Sequence, residues 1–64
     1  MKSKFAEKLQ AARKAANLTQ KKLAKRLNIS QVQIAKWESA ASNPTIETVE
    51  RIAKVLGIGM AELL

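Results

Sequence analysis

The stretch from Thr19 to Trp37 leaves this chain little conformational choice. Thr19 is a suitable N-cap for a helix opening at Gln20, and Leu23, Ala24 and Leu27 place that helix's apolar residues on one side. Asn28 then stands where the helix must stop, and Asn is among the few non-glycine residues that tolerate a left-handed backbone. After Ile29, Ser30 with Gln33 three places on reads as a capping box: the serine accepts from the third amide while the glutamine reaches back to the cap amide. The next helix begins at Gln31 and turns Ile34 and Trp37 inward. Two helices joined by three residues cross steeply, so their inner positions must be apolar or small at fixed offsets. Leu23, Leu27, Ile29, Ile34 and Trp37 fill those offsets, and Ala24 supplies the small residue at the crossing.

This helix-turn-helix, residues 20–38, sits in a chain with no strand pattern, repeat or low-complexity tract. Phe5, Leu9, Ala12 and Ala16 recur at helical spacing and predict a first helix over residues 3–16. Residues 39–44 are small and polar and predict a loop. Thr45 caps a fourth helix that is expected to bury Ile46, Val49, Ile52, Ala53 and Leu56, and Gly57 closes it. Residues 59–64 suit one last short turn carrying Met60, Leu63 and Leu64. The 64 residues amount to one all-α domain, 1–64, with a thin core.

Composition removes most chemistry. With no cysteine and no histidine there is no disulfide framework, no thiolate metal site, and neither the commonest metal ligand nor the commonest general base. The only carboxylates are five glutamates, and Glu47 and Glu50 suit the positive end of the fourth helix better than acid–base work. There is no glycine-rich phosphate loop. An enzyme, a cofactor, a metal and a small-molecule substrate are therefore not expected. No apolar run approaches the roughly 20 residues that span a bilayer, and no signal segment opens the chain, so a soluble cytoplasmic protein is expected. A basic membrane-surface peptide fits poorly, because the apolar faces of four helices are better spent on one another.

Charge points to the partner. Lys and Arg outnumber acids 12 to 5, a net +7. Residues 1–36 carry +9 and the remainder −2, so a polyanion should meet the first portion. The outward positions of the third helix, Gln31, Val32, Gln33, Ala35 and Lys36, contain no acid, whereas an ordinary solvent face mixes Glu with Lys. A glutamine offers a donor and an acceptor matched to adenine N6 and N7, valine can touch a thymine methyl, and lysine can reach guanine O6 or N7, or a phosphate. Gln31, Val32, Gln33 and Lys36 are thus candidates for base contact in double-stranded DNA, with the capping box a competing use for Gln33. Lys21, Lys22, Lys25 and Arg26 lie beside that helix, and Lys21 and Lys25 are the candidates for phosphate contact. Lys2, Lys4 and Lys8 are either solubility charges or an arm that reaches DNA.

Residues 5–64 resemble the DNA-binding domain of lambdoid phage repressors and Cro proteins, the Cro/C1-type helix-turn-helix family. The resemblance is carried by Leu18-Thr19-Gln20, Leu23-Ala24, Ile29-Ser30, Ile34, Trp37-Glu38, Pro44-Thr45, Ala53 and Leu56-Gly57. It implies a compact five-helix bundle and a transcriptional regulator, a repressor, that binds a palindromic operator as a homodimer. It further implies that Gln20 binds a phosphate and braces Gln31, that Ser42 and Asn43 touch phosphates, and that Arg13 pairs with Glu38. Asn28 and Ala40 stand where the family usually has glycine. The alanine is expected to let the end of the third helix extend or relax differently. Dimer contacts are expected from Ile58, Met60, Leu63 and Leu64. An antitoxin, whose main partner is a toxin protein and which also binds its own operator, is the alternative function.

Overall fold

The computed structural model describes residues 4–64 and, over these, is all-α. Helix α1 spans Lys4–Ala15, α2 Gln20–Leu27, α3 Gln31–Glu38 and α4 Ile46–Leu56. Lys2, and Ser3 at the expected start of the first helix, lie outside the described residues.

The helices begin as their caps dictate. Thr19, Ser30 and Thr45 all hold extended backbone and accept, through their hydroxyls, the amides of Lys22, Gln33 and Thr48. Each satisfies one of the donors that a helix leaves open at its start.

The four ends share one device. Asn17, Asn28, Ala40 and Gly57 all have positive φ, between 58° and 71°. In each case the next residue's amide returns to a carbonyl five residues earlier: Leu18 to Arg13, Ile29 to Ala24, Ala41 to Lys36 and Ile58 to Ala53, at 2.9–3.1 Å. Three of these closures carry Leu18, Ile29 or Ile58 at the returning position, where an apolar side chain packs back onto the helix. The fourth has two alanines. Contrary to expectation, Ala40 does not prolong α3: at φ 64° it adopts the conformation glycine would take, and α3 stops at Glu38. The surrounding hydrogen bonds impose this on a residue whose Cβ disfavours it.

A single core joins Leu9, Leu18, Leu23, Ala24, Leu27, Ile34, Trp37, Val49, Ile52, Ala53 and Leu63. Two expectations are corrected by it. Ile46 is 58% exposed, because it opens α4 one turn beyond Val49, where the core ends. The fifth helix is a single 3₁₀ turn, Met60–Glu62, with bonds from Glu62 to Gly59 and from Leu63 to Met60. Left-handed Gly57 and extended Gly59 flank Ile58, so the segment turns away from α4 before it can coil again. Leu63, fully buried, serves this chain's own core rather than a partner, and Ile58 and Met60 pack against that core. Of the four residues expected at a dimer contact, Leu64 alone is largely exposed, at 58%.

Candidate nucleic-acid interface

Turning Ile34, Trp37 and Glu38 into the interior fixes which side of α3 faces out. Val32 and Lys36, four apart, share the middle of that outer side. Val32 is 63% exposed, without a packing role that would explain a β-branched residue there. Gln31 is also exposed, whereas Gln33 and Ala35 are half-buried on the margins. The side chains of Gln31 and Lys36 make no hydrogen bond within the described residues.

Gln33 is occupied differently from the expectation. The first half of the capping box forms, with the Gln33 amide donating to Ser30 Oγ at 3.2 Å. The returning half does not: Gln33 Nε2 donates instead to Ser42 Oγ at 3.3 Å. Ser42 is half-buried and Asn43 exposed in the segment between α3 and α4.

Behind the outer face lies a buried charge network. Arg13 donates through Nε to Glu38 Oε2 at 2.6 Å and through Nη2 to Oε1 at 3.1 Å, a two-pronged pair that locks α1 to α3. Its remaining nitrogen, Nη1, donates to the Leu18 carbonyl at 2.7 Å. Arg13 and Glu38 are only 8% and 5% exposed, so removing one partner would strand the other's charge in the interior. Gln20 joins the network through Nε2, which donates to Glu38 Oε1 at 3.1 Å. Its amide therefore braces the end of α3 at Glu38, rather than Gln31 at the beginning. Among the described residues, no buried side-chain nitrogen or oxygen lacks a hydrogen-bond partner.

The basic residues of α2 form two exposed pairs at helical spacing, Lys21 with Lys25 and Lys22 with Arg26, and α2 contains no acid. Arg51 was missed as a structural residue. Its Nη2 caps the Leu27 carbonyl at 2.8 Å and so ties α4 to the turn between α2 and α3. Nothing local in the sequence signals a contact between residues 24 positions apart. No group of three or more acidic side chains among the described residues could hold a metal ion. No helix among them is long and apolar enough to cross a membrane.

Two short helices crossing on a three-residue turn, with an acid-free outer face on the second, define a helix-turn-helix unit. The family model described as Helix-turn-helix matches residues 9–63, and the chain belongs to that family, in its Cro/C1 form. It is 43% identical over 60 residues to the HTH-type transcriptional activator BcrR of Enterococcus faecalis, an overlap of 94% of this chain and 29% of that protein. The cryptic phage CTXphi transcriptional repressor RstR of Vibrio cholerae is 40% identical over 60 residues, 94% of this chain and 54% of that one. The immunity repressor protein of Bacillus phage phi105 is 34% identical over 58 residues, 91% and 40% of the two chains. This chain thus spans between 29% and 54% of the length of these relatives. Among solved structures, the restriction-modification controller protein C.AhdI from Aeromonas hydrophila superposes with a TM-score of 0.89 at 26% identity, covering 95% of this chain and 92% of that one.

Proposed function

We infer that this chain is a sequence-specific, double-stranded DNA-binding transcriptional regulator that acts as a repressor. Its relatives include repressors, an activator and a controller protein, and each aligns with more than nine-tenths of this chain. The observation that carries the inference is the acid-free outer face of α3, whose Gln31, Val32 and Lys36 are exposed and uncommitted. In the bound state α3 lies in the major groove with these three side chains against base edges and Gln33 on the flank. Gln20, Lys21, Lys25, Ser42 and Asn43 contact phosphates, which fix position and supply most of the salt dependence.

The chain binds as a homodimer on a two-fold symmetric operator, placing two copies of α3 about 34 Å apart. Lys8, Ala11, Ala12, Ala15, Ile58 and Glu62 line an open groove, mostly apolar, between α1 and the C-terminal segment. Opposite charges at Lys8 and Glu62 suit a self-complementary contact, in which each residue meets the other across the symmetry axis. Selection of bound sequences from a random duplex pool tests the whole proposal. A two-fold symmetric consensus with half-sites one helical turn apart is expected, and enrichment of no sequence would refute it.

A further inference from the structure

Gln33 stands apart from the other outward residues of α3 because its amide is already engaged. It donates from Nε2 to Ser42 Oγ, nine residues away, at 3.3 Å. Ser42 is tethered a second time, its backbone amide reaching the Lys36 carbonyl at 3.4 Å. That carbonyl also accepts from Ala41 N at 2.9 Å and from Ser39 Oγ at 3.1 Å. Residues 33 and 36 are neighbours on the helix surface. The segment after α3 is therefore fastened back onto α3 at two points one turn apart, with Ser42 at both.

Chemistry decides what this fastening is for. A serine hydroxyl has one proton to give and two lone pairs to receive. By accepting from Gln33, Ser42 spends a lone pair on the protein and keeps its proton as a donor. A phosphate oxygen in a duplex can only accept, so the hydroxyl is held in the protonic sense that such a partner requires. Had the second half of the capping box formed, Gln33 would have been used on Ser30 and the Ser42 hydroxyl left free to rotate. With Val32 and Lys36 in the middle of the outer face, half-buried Gln33 sits at its margin, bonded to the segment that follows α3.

The geometry points to Gln33 as a positioning residue: it reads no base, and instead holds Ser42 so that the serine hydroxyl donates to a phosphate oxygen of the bound duplex. This rests on the DNA-binding function proposed above and narrows it, leaving sequence readout to Gln31, Val32 and Lys36.

The test uses the full chain, a random duplex pool and a scrambled duplex. Gln33→Ala is expected to select the same consensus as the unsubstituted protein, but to bind consensus and scrambled duplex more weakly by the same factor, three- to tenfold. Ser42→Ala should lose on the order of tenfold per half-site, the scale of one hydrogen bond to a charged group. The double variant should be no weaker than Ser42→Ala alone. Ser42→Thr, which keeps the hydroxyl, should bind like the unsubstituted protein, and fall to the level of Gln33→Ala when combined with Gln33→Ala. Far-UV circular dichroism and melting temperature are followed for each variant, and neither should account for these losses. A consensus that becomes degenerate at one base pair per half-site in Gln33→Ala would overturn the assignment, as would single losses that multiply in the double variant. If the unsubstituted protein itself enriches no sequence, the DNA-binding function fails first, so the two failures are distinguishable.

Discussion

Replacing Ala40 with glycine should stabilise the protein, and the structure sets the size of the gain. Ala40 is held at φ 64° by the closure of α3, where its Cβ crowds the following carbonyl. For a non-glycine residue that conformation costs about 1–2 kcal/mol. Glycine removes the strain but gives the unfolded chain more freedom, which offsets about 0.4–1 kcal/mol. The net gain is about 0.5–1 kcal/mol. In a domain of this size 1 kcal/mol moves the melting temperature by about 4–8 °C, so Ala40→Gly should melt about 2–8 °C higher. Thermal melts by far-UV circular dichroism would show the shift. Urea titration should show a higher midpoint with an unchanged slope, as expected when stability alone has altered. Asn28 is the internal comparison. It has nearly the same φ, 58°, but Asn tolerates that region, so Asn28→Gly should change stability by only a few tenths of a kcal/mol. If Ala40→Gly melts no higher than the parent, or if Asn28→Gly gains as much, the strain assigned to Ala40 is wrong.

Other substitutions separate interior from surface and affinity from specificity. Glu38→Gln leaves Arg13 charged and buried without its counter-ion and should cost about 3–5 kcal/mol in urea titrations, a large share of what a small domain possesses; a loss under 1 kcal/mol would mean the pair is solvated. Leu63→Ala should cost about 2–5 kcal/mol, whereas Leu64→Ala should stay within about 0.5 kcal/mol, and equal effects would contradict the burial of the first and the exposure of the second. In titrations against operator and random duplex, Gln31→Ala should weaken the operator complex by about 1–3 kcal/mol and the random one far less. Lys25→Ala should weaken both alike and flatten the salt dependence by about one phosphate's worth, so identical behaviour of these two variants would count against readout by α3.

What could be foreseen from the sequence was local. Thr19, Ser30 and Thr45 mark helix starts, because a hydroxyl accepting an amide three residues on is settled within one turn. Asn28 and Gly57 mark ends for an equally local reason, their tolerance of positive φ. Ala40 escaped this logic, since alanine advertises no such tolerance and adopts the conformation only because its neighbours' hydrogen bonds require it. Contacts between distant residues were the least legible. No periodicity links Arg51 to the Leu27 carbonyl, or distinguishes Ser42 from Ser30 as the partner of Gln33. The Arg13–Glu38 pair was suggested by likeness to a family, not by any pattern across the 25 positions that separate them. At the C-terminal end, hydrophobicity marked Leu63 and Leu64 equally, and packing alone made one interior and the other surface.

The side chains of Gln31, Val32 and Lys36 make no hydrogen bond among the described residues, while the residues behind them hold the helix in place. The unit is therefore suited to retargeting. These three positions can be randomised to seek a new operator with little risk of unfolding the scaffold, and libraries built there should yield mostly folded members. Residues 33 and 42 are a different matter: as two halves of one contact, they should be varied together or left alone.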